Sequence, residues 1–138
     1  MFTRALRTSN LIIHSLGVPT LAHRMSSTVA TKQKHEWIVI LPDNVGVLSK
    51  RMEVRPDHLE ALTRSVESGF WKLGGAMLEE IPGEGEGPKI RGSVMLALAN
   101  SREEVLKALQ DDIYYKSGVW DWDQLQIHPF RSAFRQAL

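Results

Sequence analysis

Apolar residues along this chain follow two kinds of spacing: short runs typical of strands, and a recurrence every three to four residues typical of helices. The segment EWIVIL, which begins at Glu36 and is ended by Pro42, is a short β-rich run that predicts a first strand. Three later runs predict further strands: FWKLGGAMLEE, IRGSVMLALA and WDWDQLQIHPF. In the last of these runs the apolar residues change from even-numbered to odd-numbered positions near Asp123 and Gln124, which predicts a β-bulge there.

Two helices are predicted between these strands. Residues 44–54 are expected to form a connection, followed by a helix over residues 56–68, because Pro56 suits a first helical position and Gly69 suits the residue after a helix. The apolar face of this helix is expected to contain Leu59, Leu62 and Val66. The segment NSREEVLKAL predicts the second helix, since its first residues have the spacing of a capping box. The segment IPGEGEGPK predicts a long hairpin loop.

The order of these elements is strand–helix–strand–strand–helix–strand, which predicts an α+β, ferredoxin-like βαββαβ fold. In such a fold two helices cover one face of an antiparallel sheet. The third strand carries apolar or small residues on both faces: Val94, Leu96 and Leu98 on one, and Met95, Ala97 and Ala99 on the other. A sheet with one solvated face would alternate more strongly, so we expect a second copy to cover the open face in a homodimer.

Residues 1–35 differ in composition from the rest of the chain. They contain five basic residues and many Ser and Thr residues, whereas the first acidic residue is Glu36. This composition is typical of a mitochondrial transit peptide, so we expect residues 1–35 to be a targeting leader or a disordered tail, and residues 36–138 to be the folded domain. The expected location is the mitochondrial matrix, or the cytoplasm if the leader does not function or translation starts at Met25.

Charge and hydropathy argue against two classes of partner. The chain has a net charge of +1, and loss of residues 1–25, which contain three arginines and no acid, would change it to −2. The remaining charges are mixed and form no basic run, so no nucleic acid partner is expected. The apolar segment LIIHSLGV is too short to span a bilayer, so no membrane partner is expected either.

The residue types also argue against several kinds of site. The chain has no cysteine, which excludes disulfides, thiolate metal sites and cysteine nucleophiles. His58 and His128 are far apart, and neither has a second ligand at a metal-binding spacing, so no metal or other cofactor is expected. The glycine-rich loop lacks the features of a phosphate-binding loop, and there is no G-x-S-x-G motif. No histidine has the context of a haem ligand.

His58 and two aromatic residues are the candidates for function. In a helix that begins at Pro56, His58 lies in the first turn, where the positive end of the helix dipole disfavours a protonated ring. Such a histidine is either a neutral base or an ordinary surface residue. Tyr114 and Trp120 lie close together in the sequence, and they either line a pocket for a planar substrate or fill one end of the sheet.

Five segments between residues 36 and 134 together resemble the YciI-like family of YCII-related domains. They are RPDHLEAL, GGAML, GSVMLALANSREEV, DDIYYKSGVW and IHPF. The resemblance implies a small ferredoxin-like protein, generally dimeric, of the dimeric α/β barrel group. Members of this family with assigned chemistry look like lyases or dehydrohalogenases that act on small ring compounds, and relatives of similar fold isomerise lactones.

The resemblance also implies an active site. The His–Asp pair proposed for the family corresponds here to His58 and Asp112. The proline that usually follows this aspartate is replaced by Ile113, and Asp111 precedes it, so either aspartate is a candidate partner. A carboxylate beside the imidazole would fix its tautomer and would stabilise the imidazolium that forms during proton transfer.

Two functional hypotheses follow from these residues. Arg55 is expected to pair with Asp112, to hold an anionic substrate, or to be a surface residue, and Tyr114 and Trp120 complete the expected substrate-binding set. The first hypothesis is a dehydrohalogenase-, dehydratase- or lactone-isomerase-like enzyme in which His58 moves a proton on a small cyclic metabolite. The second is a non-catalytic ligand-binding or dimerisation module, which is favoured if His58 and a carboxylate do not meet in a concave pocket.

Overall fold

A computed structural model describes residues 33–136, which form a four-stranded antiparallel sheet with helices. Its elements in chain order are β1 His35–Pro42, α1 Leu48–Glu67, β2 Trp71–Leu78, β3 Ile90–Ala99, α2 Arg102–Gln110, α3 Ile113–Lys116, a 3₁₀ turn Trp122–Gln124 and β4 Gln126–Phe130. The strand order is β2-β3-β1-β4, which confirms the predicted α+β, ferredoxin-like arrangement. Most of the predicted leader lies outside the described residues. No helix in residues 33–136 has both the length and the apolar character needed to cross a membrane.

One face of the sheet packs under the two main helices. Val39 of β1 pairs with Met95 of β3 on one side and with Ile127 of β4 on the other, and all three side chains are buried. Val54 of α1 and Leu109 of α2 belong to the same buried cluster, so both helices cover this face, as predicted. The removal of this apolar layer from water is the main force that holds the helices to the sheet.

Helix α1 begins earlier than predicted. It starts at Leu48, so most of the segment expected to be a connection forms its first turns. Pro56 lies in the helix interior, where it lacks the N–H that would bond to the carbonyl of Met52. Val47, at the N-cap, makes no side-chain capping bond, so the usual signal for a helix start is missing there. The predicted start at Pro56 is wrong, because this proline lies inside the helix and not at its first position.

Two glycines end helices near the candidate site. Gly69 (φ 77°) follows α1, and the two hydrogen bonds of a Schellman motif close the last turn, which confirms the predicted helix end. Gly118 (φ 66°) ends α3 in the same way. The chain then turns back so that Trp120 forms a β-bridge with Asp43 at the end of β1. Both glycines are in the left-handed conformation that side chains disfavour.

The predicted start of the second helix is confirmed, whereas the predicted bulge in the last strand is not. The side chain of Ser101 accepts a hydrogen bond from the backbone N–H of Glu104 at 3.2 Å, as expected for a capping box. The predicted bulge in the last strand is wrong, because Trp122–Gln124 forms a 3₁₀ turn and β4 is confined to Gln126–Phe130. The side chain of Asp121 caps this turn by accepting a hydrogen bond from the backbone N–H two residues later.

Candidate active site

Helix α1 buries three residues spaced three and four positions apart, Arg51, Val54 and His58, so that they share one helix face. His58 is 7 % exposed. It is the eleventh of the helix's 20 residues, about 15 Å from the first residue along the axis. The helix dipole acts mainly within the terminal turns, so the prediction that it favours a neutral His58 is wrong.

Asp112 reaches His58 because it forms the N-cap of the short helix α3. One carboxylate oxygen, Oδ1, accepts a hydrogen bond of 2.8 Å from the backbone N–H of Tyr114. The same carboxylate lies 2.9 Å (Oδ1) and 2.8 Å (Oδ2) from Nδ1 of His58. Asp111, the alternative partner, instead forms an ion pair with Lys107, and its side chain is 65 % exposed. The geometry therefore pairs His58 with Asp112.

This contact determines what the imidazole of His58 can do. Because an ionised carboxylate only accepts hydrogen bonds, the proton of the neutral ring belongs on Nδ1, which leaves Nε2 with a lone pair. Within residues 33–136 no group forms a hydrogen bond with Nε2, and His58 lines an open cavity. The arrangement can take up a proton at Nε2 while the carboxylate of Asp112 stabilises the imidazolium.

Two aromatic rings hold the imidazole of His58 in place. Tyr114 stacks on it, with ring centroids 3.9 Å apart and an interplanar angle of 13°. Burial raises the pKa of Tyr114 above its ordinary value of 10.0, and Arg51 offsets only part of that rise, so the phenol is protonated at neutral pH. Trp120 meets both rings edge-on, 6.0 Å from His58 and 5.5 Å from Tyr114. Among the described residues, those that line the cavity include Tyr114 but not Trp120.

Arg51 is a site residue that the sequence-based interpretation missed, because it assigned Arg51 to a connection. Its Nη1 donates to both carboxylate oxygens of Asp43, at 2.7 and 2.9 Å, and its Nη2 donates to Oγ of Ser93 at 3.0 Å. Its Cζ lies 4.5 Å from the centroid of the Tyr114 ring, a cation–π contact. The signal in the sequence was the seven-residue spacing from His58, which places both residues on one face of a helix.

Asp43, the partner of Arg51, comes directly after β1 and is held close to the site by its bridge to Trp120. Burial raises the pKa of Asp43 above its ordinary value of 3.8, and the charge and hydrogen bonds of Arg51 oppose this rise. The Nε1–H of Trp120 also donates to Oγ of Ser93, at 3.2 Å. A connected set of buried polar groups therefore supports the Tyr114 ring from the side of Arg51.

A cavity of about 510 Å³ lies between α1 and β2 and is open to solvent. The polar residues that line it are Arg51, Arg55, His58, Thr63, Glu67, Lys72, Ser93 and Tyr114. Arg55 is exposed on the cavity wall, and within the described part of the chain it forms no ion pair with Asp112. Its guanidinium is therefore available to an anionic group in the cavity. Residues 33–136 contain no group of three His, Asp or Glu side chains placed to hold a metal ion.

Comparison with known proteins supports the resemblance seen in the sequence. The model of the YCII-related domain family matches residues 36–131. Fusaric acid biosynthesis protein 2 of Gibberella fujikuroi is 36 % identical over 104 residues, which are 75 % of this chain and 99 % of that protein. Xenovulene A biosynthesis cluster protein asL2 of Sarocladium schorii is 32 % identical over 113 residues, which are 79 % of this chain and 98 % of that protein.

A solved structure has a similar fold. It is the 5-chloro-2-hydroxyhydroquinone dehydrochlorinase TftG of Burkholderia phenoliruptrix, in complex with 2,5-dihydroxybenzoquinone. The TM-score is 0.60 at 20 % sequence identity, and the match covers 70 % of this chain and 93 % of TftG. This likeness confirms the fold, and the family match covers the sheet and its helices except for His35, the first residue of β1. The chain belongs to the YCII-related domain family.

Proposed function

We propose that this protein is a small lyase or isomerase in which His58 moves a proton on a small cyclic metabolite and Asp112 is its partner. The observation that carries the proposal is the 2.8 Å contact between Nδ1 of His58 and Asp112, which leaves Nε2 free on the wall of a cavity. The comparisons support this class of chemistry, because two relatives are named for biosynthesis of small molecules and TftG is a dehydrochlorinase.

In the proposed reaction, Nε2 of His58 removes a proton from a phenolic hydroxyl or from a ring carbon next to a carbonyl. The electron pair left on the substrate then expels a leaving group, in a lyase, or moves along the ring to a carbon that receives the proton back, in an isomerase. Arg55 faces the same cavity and stabilises negative charge on the substrate oxygen. Tyr114 contacts the substrate, and Trp120 holds Tyr114.

Proton abstraction can be measured without knowledge of the leaving group, as exchange of carbon-bound hydrogen for deuterium in D₂O. A panel of cyclic 1,3-diketones, hydroxyquinones and unsaturated lactones, including 2,5-dihydroxybenzoquinone, would be followed by NMR. We expect the wild type to catalyse exchange in at least one compound, and His58→Gln to slow it by about 100-fold or more without loss of fold. His35→Gln, at an exposed histidine, is the matched control and should keep the wild-type rate.

Two results would count against the proposal. Undiminished exchange by His58→Gln would show that His58 is not the base. Binding of a panel compound to the wild type, with no exchange in any compound, would favour the alternative of a non-catalytic ligand-binding module. Circular dichroism of each variant separates both results from simple unfolding.

We also propose that two copies of the chain pair through the sheet face opposite the helices. Apolar side chains on that face are half-buried or exposed: Ile38, Ile40, Val94, Leu98 and Phe130. Val94→Asp places a charge in the middle of this face, and Val45→Asp, at a fully exposed loop residue, is its control. Sedimentation velocity should show dimers for the wild type and Val45→Asp and a monomer for Val94→Asp, whereas a monomeric wild type would contradict the proposal.

For residues 1–35 we propose the role of a mitochondrial targeting leader ahead of the domain of residues 36–138. Its support is the composition of this segment, which has five basic residues and no acid. A fluorescent fusion of the full chain should enter mitochondria, and a fusion that starts at Met25 should stay in the cytoplasm. Equal cytoplasmic location of both fusions would contradict the leader.

A further inference from the structure

The cavity wall formed by α1 changes character along the helix. The α1 residues that line the cavity recur every three to four positions, as expected for one helix face. From Arg51 to His58 the lining residues are polar or charged. From Leu59 to Glu67 three of the five lining residues are apolar, namely Leu59, Leu62 and Val66, and the other two are the exposed Thr63 and Glu67. The cavity therefore has a polar end with the His58–Asp112 pair and a mostly apolar end near the start of β2, where the exposed Lys72 also lines it.

The cavity is larger than a single ring requires. From Arg51 to Val66 the helix rises about 22 Å. The volume is about 510 Å³, and a cavity of about 150 Å³ is enough for benzene. A ring compound placed beside His58 would therefore leave most of the apolar end empty.

The apolar end is built from side chains that solvent still reaches. Leu59 is 44 % exposed and Val66 is 55 % exposed. Gly74 of β2 leaves open space opposite them, since a Cβ added there would meet nothing within 4 Å. Apolar groups that cluster on a concave wall gain free energy when a ligand covers them.

We infer that the apolar end binds an alkyl arm of several carbons, attached to the ring whose proton His58 removes. The substrate class is thus a small cyclic phenol or carbon acid with an apolar side chain, rather than a bare ring. This inference rests on the proposed function, since it assumes that the ring lies beside His58. The continuity of the cavity favours this occupant, because head and arm are then parts of one molecule.

The test is a series of 4-n-alkylresorcinols with arms of one to seven carbons, with affinity measured by calorimetry below the micelle concentration. We expect the Kd of the wild type to fall about fourfold per methylene until the arm fills the apolar end. Gly74→Leu should fill that end. It is expected to weaken binding of the heptyl compound about 50-fold, the equivalent of three methylenes, and to change binding of the methyl compound little.

Gly87→Leu, in the loop between β2 and β3, is the control. Gly74 pairs with Met95 on the face that the helices cover, whereas Gly87 is exposed and is not among the residues that line the cavity. A Cβ at Gly87 would also meet nothing within 4 Å. Gly87→Leu should therefore keep the wild-type dependence of Kd on arm length, which separates binding in the cavity from non-specific adsorption of long alkyl chains.

The inference is overturned if the wild-type Kd does not depend on arm length, or if Gly74→Leu and Gly87→Leu show the same dependence of Kd on arm length. If Gly74→Leu does not fold, Val66→Asp replaces it, with Val45→Asp as control. His58→Gln should show the same dependence on arm length as the wild type. If Kd falls with arm length but no compound exchanges its proton, only the proposed function is rejected. If protons exchange but Kd does not depend on arm length, only the alkyl arm is rejected.

Discussion

Helix α1 carries two buried acid–base pairs, Arg51–Asp43 and His58–Asp112, seven residues apart on one face. The side chains in both pairs are less than one-tenth exposed, and both Arg51 and His58 contact the ring of Tyr114. The two pairs differ in whether the basic residue keeps a nitrogen atom that can accept a proton from a ligand. The terminal nitrogens of Arg51 donate to Asp43 and Ser93, and a guanidinium does not release a proton. His58 uses one ring nitrogen and leaves the other free.

The difference shows how the same buried helix face can serve stability and chemistry. The charge of Arg51 is matched by Asp43 and its terminal nitrogens are hydrogen-bonded, while its buried Nε–H has no hydrogen-bond partner within residues 33–136. Such a pair fixes the position of its neighbours, because any movement would leave a buried charge without a partner. In the His58–Asp112 pair, Nε2 of His58 has a free lone pair on the cavity wall and can exchange a proton with a ligand. Arg51–Asp43 is therefore expected to hold Tyr114 in place, and His58–Asp112 to act on the ligand.

The largest effect on stability is expected from Arg51→Met. The change leaves the buried carboxylate of Asp43 without its partner, and such losses cost about 3–5 kcal/mol in the free energy of unfolding. Urea denaturation near pH 7.5 measures this difference. The conservative Arg51→Lys keeps the charge and should lose less. A loss below about 1 kcal/mol in Arg51→Met would show that the pair does not hold the site together.

A smaller effect on stability is expected from Asp112→Asn. The amide still accepts one hydrogen bond, so the free energy of unfolding should fall by about 1–3 kcal/mol. Proton exchange in the deuterium assay should fall further, by about 10²–10⁴-fold, because the imidazolium loses its counter-charge. Asp111→Asn is the control at an exposed aspartate and should stay within about 0.5 kcal/mol of the wild type. Equal effects on exchange in the two variants would contradict the role of Asp112.

The smallest expected effect is a change with pH in the stability that Arg51→Met loses relative to the wild type, measured as free energy of unfolding. Arg51 lowers the pKa of Asp43, so its removal raises that pKa further above the ordinary value of 3.8. A carboxyl whose folded-state pKa is raised stabilises the fold below its unfolded pKa, and this contribution is lost as pH rises through the folded pKa.

The stability deficit of Arg51→Met should therefore be smaller at pH 5 than at pH 8, by at most about 1.4 kcal/mol per pH unit. Urea denaturation at several pH values measures it, and the double variant Arg51→Met/Asp43→Asn should have a deficit that changes less with pH. A stability deficit that grows as the pH falls would contradict the raised pKa of Asp43.

The sequence predicted the parts of this structure whose signals are local. Apolar runs located the strands, a left-handed glycine located the end of α1 at Gly69, and the capping residue Ser101 located the start of α2. The resemblance to the YciI-like family implied His58 as the base with Asp112 or Asp111 as its partner, and the structure brings His58 into contact with Asp112.

The Arg51–Asp43 pair could not be predicted in the same way. The start of α1 has no side-chain cap at Val47, and the interior Pro56 imitates a helix start. Tertiary contacts override both local signals, because Arg51 is anchored to Asp43 and Ser93 across the site. The closing bridge between Asp43 and Trp120 joins residues far apart in the chain, and no spacing along the sequence indicates it.

The most direct test of the account is the tautomer of His58, measured by ¹H–¹⁵N NMR at a pH where the ring is neutral. The signal would be assigned by its absence from His58→Gln. We expect the proton on Nδ1 in the wild type, and we expect Asp112→Asn but not Asp111→Asn to weaken this preference. A proton on Nε2 in the wild type, or a tautomer unaffected by Asp112→Asn, would contradict the claim that Asp112 prepares Nε2 to accept a proton.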